Sequence, residues 1–336
     1  MKVAFLSLVV FLASAATAQQ RSTPSYGPNL ERFAYPHPVN TFKFESQRQA
    51  LTMAHMDVPA AKPNGHTVVL LHGKNFCAAT WESLVRTLST AGYRVVVPDQ
   101  IGFCKSTKPE HYQYTLHQLA DNTHRLLEQL GITRAVILGH SMGGMLAFRY
   151  ALMFPQQTQA LVVVNPLGLE DWKAKGVPYQ TVDAAYQGQL RTTFESIKAY
   201  QLSTYYVGQW KPEYDQWVEM QAGMFNGEGR ELVAWNQALT SEMIYSQPVM
   251  YEFPNIKVPS LLLIGERDTT APGKNLAPRE SASTLGNYDE LGRAAAKAIP
   301  NARLVPFPEL GHSPHIQEPE RFSKALLENL AEMLRQ

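Results

Sequence analysis

The sequence predicts an α/β fold in which helices flank a mostly parallel sheet. From Thr41 onward, short β-rich runs alternate with stretches of helical periodicity. Several of the short runs are apolar at every position, which is typical of strands that are covered on both faces of a sheet. The chain has 336 residues, of which 45% are hydrophobic, so it is long enough to bury one large core.

The predicted elements follow one another in order. An opening antiparallel pair is expected over residues 41–46 and 49–57. The buried strands expected next are Thr67–Leu71, Arg94–Val97, Ala135–Leu138 and Leu161–Val164. The helices expected among them are Trp81–Thr90, Leu116–Leu130 and Gly144–Met153. Because each strand is followed by a connection that crosses back, the strands are predicted to be parallel.

The alternation stops in residues 168–251, which show no strand-like run and are rich in aromatic residues. We therefore expect a helical cap at 168–251, inserted into a core made of residues 41–167 and 252–336. The remaining core elements are a strand at Pro259–Ile264, a strand at Arg303–Phe307 and a closing helix from Pro319. The polar segment 274–290 is interpreted as a surface loop.

The amino terminus predicts export. Lys2 precedes an apolar run from Val3 to Ala13, and the small-residue pattern Ala16-Thr17-Ala18 follows it. Residues 1–18 are thus expected to form a cleaved signal peptide, since the run is shorter than the ~18 residues of a spanning helix. Residues 19–40 are expected to be an extended lead-in. We predict a periplasmic or secreted protein without stable membrane insertion after cleavage.

Charge and cysteine content narrow the functional classes. The formal net charge is +1, from 30 basic and 29 acidic residues, and no block of like charge is present. Nucleic acid is therefore not an expected partner. Two cysteines exclude a disulfide-rich scaffold and a four-cysteine zinc site. No metal and no organic cofactor is expected.

The segment Gly139-His140-Ser141-Met142-Gly143 predicts a nucleophilic serine at a sharp turn from strand to helix. An apolar strand leads into Gly139 and a helix-forming run follows it, so the context that this motif requires is present. Glycines allow such a tight turn because they lack a Cβ atom. The alternative is that Ser141 only caps the helix.

A serine nucleophile needs a base and a residue that orients the base. Asp268 and His312 each follow a predicted strand, and catalytic groups gather at the carboxyl edge of α/β sheets. Asp268 is preferred as the acid, with Glu266 as the alternative. His312 is preferred as the base because Gly311 precedes it, and His315 stays an alternative.

The tetrahedral intermediate requires two N–H donors. One is expected to be the backbone amide of Met142, directly after the nucleophile. The other is expected from the loop after the first buried strand, with Lys74 as first choice and Asn75 as second. The Lys74 side chain is expected to be solvated. His72 and His140 are expected to be structural histidines, hydrogen-bonded beneath the loops.

These motifs together resemble the α/β-hydrolase superfamily, and within it the esterase, lactonase and carbon–carbon hydrolase branch that has a helical cap. The motifs are Leu71-His72-Gly73, the stretch from Asp99 to Ser106, Gly139 to Gly143, Gly265 to Pro272, and Gly311-His312. The resemblance covers nearly all of residues 41–336 and implies an eight-stranded, mostly parallel sheet. Serine at position 141 disfavours the dehalogenases and epoxide hydrolases of this superfamily, which have aspartate there.

The resemblance also implies two features around the site. The cap would cover the pocket, and its aromatic residues would select a small-molecule substrate with an apolar moiety. About two thirds of these aromatic residues are expected only to fill the interior of the cap. Cys77 and Cys104 belong to loops that leave adjacent strands in the family fold. Together with the predicted export, this suggests a Cys77–Cys104 disulfide.

The function predicted from the sequence is hydrolysis of a carboxylic ester or lactone through an acyl-enzyme intermediate. The first alternative is hydrolysis of an amide, peptide or carbon–carbon bond by the same three residues. A second alternative, from another class, is a small-molecule receptor that has kept the fold without turnover.

Overall fold

The computed structural model describes residues 24–335, so the predicted signal peptide and the first residues of the lead-in lie outside the described residues. Eight strands form one sheet in the order β1-β2-β4-β3-β5-β6-β7-β8. The strands are β1 Val39–Ser46, β2 Gln49–Val58, β3 Thr67–Leu71, β4 Arg94–Pro98, β5 Ala135–His140, β6 Thr158–Val164, β7 Ser260–Gly265 and β8 Ala302–Phe307. β2 pairs antiparallel with β1 and β4, and all other pairs are parallel. The predicted fold class is confirmed.

Helices cover both faces of this sheet. The core helices are α1 Glu82–Thr90, α2 Leu116–Gln129, α3 Met142–Met153, α9 Tyr288–Ala298 and α11 Pro319–Met333. Along β3, Val68 and Leu70 join a cluster with side chains of α1 and α11, while Val69 and Leu71 pack with α2 and α3 on the opposite face. All four β3 side chains are fully buried, which explains why the sequence of this strand is apolar throughout.

The segment between β6 and β7 contains a group of helices, as expected for the predicted cap. They are α4 Val182–Gln189, α5 Phe194–Tyr200, α6 Asp215–Phe225 and α7 Arg230–Ser246. A single π-helical turn, Gln201–Tyr205, continues α5. This segment lies over the carboxyl ends of the strands, since residues from it and from the loops after β3, β5 and β7 line the same cavity.

The prediction of a surface loop at 274–290 was wrong. This segment contains α8 Arg279–Thr284 and the start of α9. Leu285 and Tyr288 are buried, and the Tyr288 hydroxyl donates a hydrogen bond to the carbonyl of Pro166 at 3.1 Å. Because segment 274–290 is mostly polar, its sequence did not indicate that Leu285 and Tyr288 pack against the core.

Two other boundaries differ from the predictions. A 3-10 turn at Ala78–Trp81 precedes α1, and α3 begins at Met142 rather than at Gly144, because Ser141 already occupies the N-cap position. A short helix, α10 Pro314–Gln317, follows His312 and precedes α11.

The described part of the lead-in connects the core with the cap. The Tyr35 hydroxyl donates to a carboxylate oxygen of Asp99 at 2.7 Å, while the Tyr26 N–H donates to the carbonyl of Gly223 in α6 at 2.9 Å. Leu30, between them, is fully buried. Within residues 24–335, none of the helices has the length and apolar character needed to cross a membrane.

Candidate active site

Ser141 lies at a strained turn between β5 and α3. Its backbone has φ 57° and ψ −122°, which is unfavourable for a residue with a side chain and typical of a nucleophile elbow. A Cβ atom on Gly139 would lie 2.0 Å from the carbonyl oxygen of Gly143, and one on Gly143 would lie 2.1 Å from that of Leu71. Both positions therefore require glycine, as the motif predicted.

Asp268 and His312 meet at the carboxyl ends of the neighbouring strands β7 and β8. The His312 Nδ1–H donates to Asp268 Oδ2 at 2.6 Å, and both side chains are buried. We call these two residues the acid–base pair. The hydrogen bond fixes the imidazole ring and leaves its Nε2 as the nitrogen that can accept a proton.

Two residues that the sequence reasoning missed hold the Asp268 carboxylate. Asn165, directly after β6, donates from Nδ2 to Oδ2 at 3.0 Å, and Thr270 donates to Oδ1 from its N–H at 2.8 Å and from its hydroxyl at 2.6 Å. Asn165 also bonds the N–H and the carbonyl of Gly265 at the end of β7. The carboxylate is thus oriented from both sides.

His312 Nε2 is buried and has no hydrogen-bond partner among the described residues. The backbone of His312 lies beside the elbow, because its carbonyl accepts a 2.8 Å hydrogen bond from Nε2 of His140, the residue before Ser141. No hydrogen bond links Ser141 to His312 in the described chain. Such bonds often form only in the substrate complex, so this arrangement is compatible with proton transfer.

The other nearby histidines have structural positions. His72 bonds the carbonyl of Gly73 at 2.8 Å and accepts from the N–H of Gln100 at 3.0 Å. Burial lowers the pKa of His72, and it lowers that of His140 much further. The histidines at positions 72 and 140 thus hydrogen-bond beneath the loops, as expected.

The two alternative site residues contact other groups. His315 stacks on Trp81 with 4.6 Å between ring centroids, and burial together with the nearby His312 lowers its pKa to about 3. Glu266 forms an ion pair with Arg293 at 2.9 Å on α9. The geometry therefore favours His312 and Asp268.

A β-turn formed by Gly73–Phe76 lies against Ser141; we call it the oxyanion turn. The Phe76 N–H donates to the Gly73 carbonyl at 3.1 Å, which closes the turn around Lys74 and Asn75. A Cβ atom on Gly73 would lie 2.9 Å from the Cβ of Ser141. Within the described residues, the N–H groups of Lys74 and Asn75 have no acceptor, so both are candidate donors to an oxyanion.

The side chains of the oxyanion turn bind the cap. Lys74 Nζ donates to Oε1 of Gln237 in α7, and Asn75 Nδ2 donates to the Tyr205 hydroxyl at 2.9 Å. Gln221 of α6 donates to Asn75 Oδ1 at 3.2 Å. The prediction of a solvated Lys74 side chain was wrong, because the cap covers it, and burial lowers its pKa to about 7.

A cavity of about 280 Å3 lies between the cap and the core. Its lining includes the polar residues Lys74, Ser141, Gln180 and Glu242 and the apolar residues Leu167, Val177 and Ile244. Of the eight cap aromatics that stand out in the sequence, Tyr205 lines this cavity, with its ring centroid 4.5 Å from that of His312. The other seven are Trp172, Tyr186, Tyr206, Trp210, Trp217, Phe225 and Trp235, and none of them is a lining residue.

Comparison with known proteins decides the family. A probable hydrolytic enzyme from Pseudomonas aeruginosa PAO1, solved by crystallography, is 59% identical to this chain and superposes with a TM-score of 0.91. The match covers 92% of this chain and 99% of that one. The model of the alpha/beta hydrolase fold family matches residues 66–207. The chain belongs to the α/β-hydrolase superfamily.

More distant relatives of this fold have different activities. A cis-3-alkyl-4-alkyloxetan-2-one decarboxylase of Xanthomonas campestris pv. campestris is 36% identical over 154 residues, which are 44% of this chain and half the length of that relative. Lipase 1 of Psychrobacter immobilis is 23% identical over 286 residues, which are 82% of this chain and 81% of the relative. The reaction catalysed therefore varies among relatives of this fold.

A disulfide joins the residue directly after the oxyanion turn of this α/β hydrolase to the loop after β4. Cys77 is bonded to Cys104 with a Cα–Cα distance of 5.8 Å. Asp99, beside it, accepts hydrogen bonds from the N–H of Ala78 at 2.8 Å and of Lys105 at 3.1 Å. The two sulfurs and this carboxylate lie close together. Because the sulfurs are bonded to each other, this cluster is a brace for the loops rather than a set of metal ligands.

Proposed function

We propose that this protein hydrolyses a carboxylic ester or lactone through an acyl-enzyme, with Ser141 as nucleophile, His312 as base and Asp268 as the residue that orients the base. The observation that carries the proposal is the 2.6 Å contact between His312 and Asp268, which leaves His312 Nε2 unpartnered at the elbow. A ligand-binding protein without turnover has no need for a buried, oriented imidazole beside a strained serine.

In the first half-reaction, His312 Nε2 accepts the proton of the Ser141 hydroxyl while Oγ attacks the carbonyl carbon. The resulting oxyanion receives hydrogen bonds from the N–H of Met142 and from the oxyanion turn, through Lys74 or Asn75. When the intermediate collapses, His312 returns the proton to the leaving alcohol. Asp268 stabilises the imidazolium ion that exists between these two transfers.

In the second half-reaction, water attacks the acyl-enzyme and His312 removes its proton. A second oxyanion forms in the same position, and its collapse releases the acid and restores Ser141. In a lactone the leaving alcohol stays attached to the acyl group, so a single hydroxy acid is released. The cavity of about 280 Å3 favours a small substrate, and its apolar lining favours an apolar moiety.

An active-site fluorophosphonate tests the nucleophile. The wild-type protein is expected to form one covalent adduct by mass spectrometry, at Ser141, and Ser141→Ala is expected to form none. Ser313, a buried serine directly after His312, supplies the matched control, because Ser313→Ala is expected to retain the adduct. Labelling that persists in Ser141→Ala contradicts the assignment.

A panel of neutral esters, lactones, aminoacyl amides and vinylogous diketones identifies the bond. The proposal predicts that kcat/KM is highest for esters or lactones. Higher values for amides or diketones would instead favour the amide or carbon–carbon alternative. Covalent labelling without turnover of any class would favour a receptor.

We also propose that the protein acts in the periplasm or outside the cell. The Cys77–Cys104 disulfide supports this, because such bonds persist in oxidising compartments. Mass spectrometry of protein from a periplasmic or culture fraction is expected to show a chain that starts at Gln19. A chain that retains residues 1–18 in the cytoplasmic fraction would contradict this proposal.

A further inference from the structure

Lys74 brings a positive charge into the cavity beside Ser141. Its side chain lines the cavity, and Nζ donates to the neutral amide oxygen of Gln237. Among the described residues, no carboxylate lies within ion-pair distance of this ammonium group. Glu242 is the only acidic residue of the described cavity lining, and burial alone accounts for the lowered pKa of Lys74. When protonated, the Lys74 amine therefore has no counter-charge among residues 24–335, and an anion bound beside it would raise its pKa again.

A cation without a counter-charge is costly in this position. Taking an ammonium group out of water disfavours folding unless a charged partner or several hydrogen bonds replace its hydration. Lysine side chains normally avoid this by extending into solvent. Here the four-carbon stem instead crosses from the oxyanion turn to Gln237 on α7, under the cap. An anionic group of a bound molecule would supply the missing charge.

The position of the charge relates it to the reaction. Lys74 belongs to the oxyanion turn beside Ser141, and its side chain lines the same cavity as Ser141. The charge is separated from the reacting atoms but within the same cavity. It is therefore suited to recognising a second functional group of the substrate rather than to stabilising the oxyanion itself.

We propose that the Lys74 ammonium group binds a carboxylate of the substrate, so that the preferred substrates are small esters or lactones that carry a free carboxylate. This inference rests on the proposed ester or lactone hydrolysis and narrows its substrate class. The carboxylate replaces or joins Gln237 Oε1 as an acceptor for Nζ. Gln180, which also lines the cavity, has a side-chain amide that can donate a hydrogen bond to a carboxylate bound there.

Matched pairs of esters test the proposal. One pair places the charge in the acyl group, as in 4-nitrophenyl hemiglutarate against 4-nitrophenyl valerate. The other places it in the alcohol, as in 4-carboxyphenyl butyrate against 4-carbamoylphenyl butyrate. In the wild type, kcat/KM is expected to be roughly tenfold to hundredfold higher for the charged member of at least one pair, chiefly through KM.

Lys74→Met removes the ammonium group and keeps the length of the stem. The ratio of kcat/KM between charged and neutral esters is expected to fall to about one, whatever happens to the absolute rates. Lys43→Met is the matched control, since Lys43 is an exposed residue of β1, and its ratio is expected to equal that of the wild type. The proposal is overturned if neither pair is discriminated by the wild type, or if Lys74→Met keeps the discrimination.

Gln237→Glu provides a second variant that keeps Lys74 in place. A carboxylate at position 237 would pair with the ammonium group and compete with the substrate, so the charged-to-neutral ratio is expected to fall roughly tenfold. An unchanged ratio in this variant would contradict the proposal. If the wild type hydrolyses no member of either pair, the ester function itself fails. Hydrolysis of both members at equal rates refutes only the carboxylate site.

Discussion

The acid–base pair and the oxyanion turn both lie beside Ser141, and different parts of the chain supply their hydrogen bonds. Asp268 and His312 are oriented by groups at the ends of neighbouring core strands, above all Asn165 and Thr270. The oxyanion turn is contacted from the cap instead, by the side chains of Tyr205, Gln221 and Gln237. The hydrogen bonds of the first arrangement come from the ends of core strands, whereas those of the second come from the docked cap, which contacts the acid–base pair only through the Tyr205 ring beside His312.

This difference suggests how proteins of one fold can keep the same catalytic residues and yet act on different substrates. The groups proposed to move the proton depend on the geometry of a sheet edge, since the strand ends of a parallel sheet have regular spacings. Groups that contact the substrate carbonyl and its neighbours depend on an inserted segment. Substitutions in the cap should therefore alter rate and specificity without disturbing the hydrogen bond between His312 and Asp268.

The largest expected effect comes from the acid–base pair. Asp268→Asn is expected to lower kcat on the order of 10^4-fold, because the amide donates where a carboxylate must accept and favours the wrong imidazole tautomer. Steady-state kinetics with the best ester of the panel measures the loss. Glu266→Gln is the matched control two residues away and is expected to stay within about twofold of the wild type. Equal losses in the two variants would contradict the assignment of Asp268.

An intermediate effect, on the stability of the fold, is expected from removing the Cys77–Cys104 disulfide that braces the loops beside the oxyanion turn. Replacing both Cys77 and Cys104 by alanine opens a link between residues separated by 27 positions. The free energy of unfolding is expected to fall by about 3 to 4 kcal/mol, since the unfolded chain gains entropy. Urea denaturation measures this change. The wild type under strong reductant should show the same midpoint as the variant, and equal midpoints for variant and oxidised wild type would refute the brace.

The smallest expected effect comes from the cap. Tyr205→Phe removes the hydroxyl that accepts the hydrogen bond from Asn75, and kcat is expected to fall roughly tenfold with little change in KM, because the oxyanion turn loses orientation. Tyr205 acts here as a positioning residue. A fall in thermal stability with unchanged kcat would show that its role is only structural.

The neighbouring tyrosine provides the control for this measurement. The hydroxyl of Tyr206 is buried and has no hydrogen-bond partner in the described residues. Tyr206→Phe makes the same chemical change one residue along the chain, and it is expected to leave kcat within about twofold of the wild type. A similar loss in both variants would mean that the π-helical turn tolerates no substitution, and the specific role of Tyr205 would be refuted.

The local hydrophobic pattern of the sequence was sufficient to predict most strands and helices of the core. The β3 prediction, Thr67–Leu71, agrees with the structure residue for residue, because a strand buried on both faces must be apolar at each position. The opening antiparallel pair and the closing helix were also predicted. The segment 274–290 was not, since its two buried anchors, Leu285 and Tyr288, are too few to produce a periodic signal.

The site was predictable where it depends on strand ends. Asp268 and His312 lie in the loops that follow β7 and β8, and Asn165 comes directly after β6, so the same reasoning applied to β6 would have identified Asn165. Thr270 also gave a signal, because a threonine two residues after an aspartate commonly bonds that side chain. Tyr205, Gln221 and Gln237 gave none, since more than a hundred residues separate each of them from the oxyanion turn.

The sequence by itself determined the order of strands and helices and the elbow at Ser141, and it predicted that Asp268 and His312 lie at the same sheet edge, because these follow from hydrophobic periodicity and from turn chemistry over a few residues. Only the tertiary structure decided the environment of Lys74. A lysine in a polar loop is solvated by default, whereas the Lys74 side chain lies against α7 and lines the cavity beside Ser141. Docking of a distant segment leaves no local trace in the sequence, so its consequences for charge and burial appear only when the chain is folded.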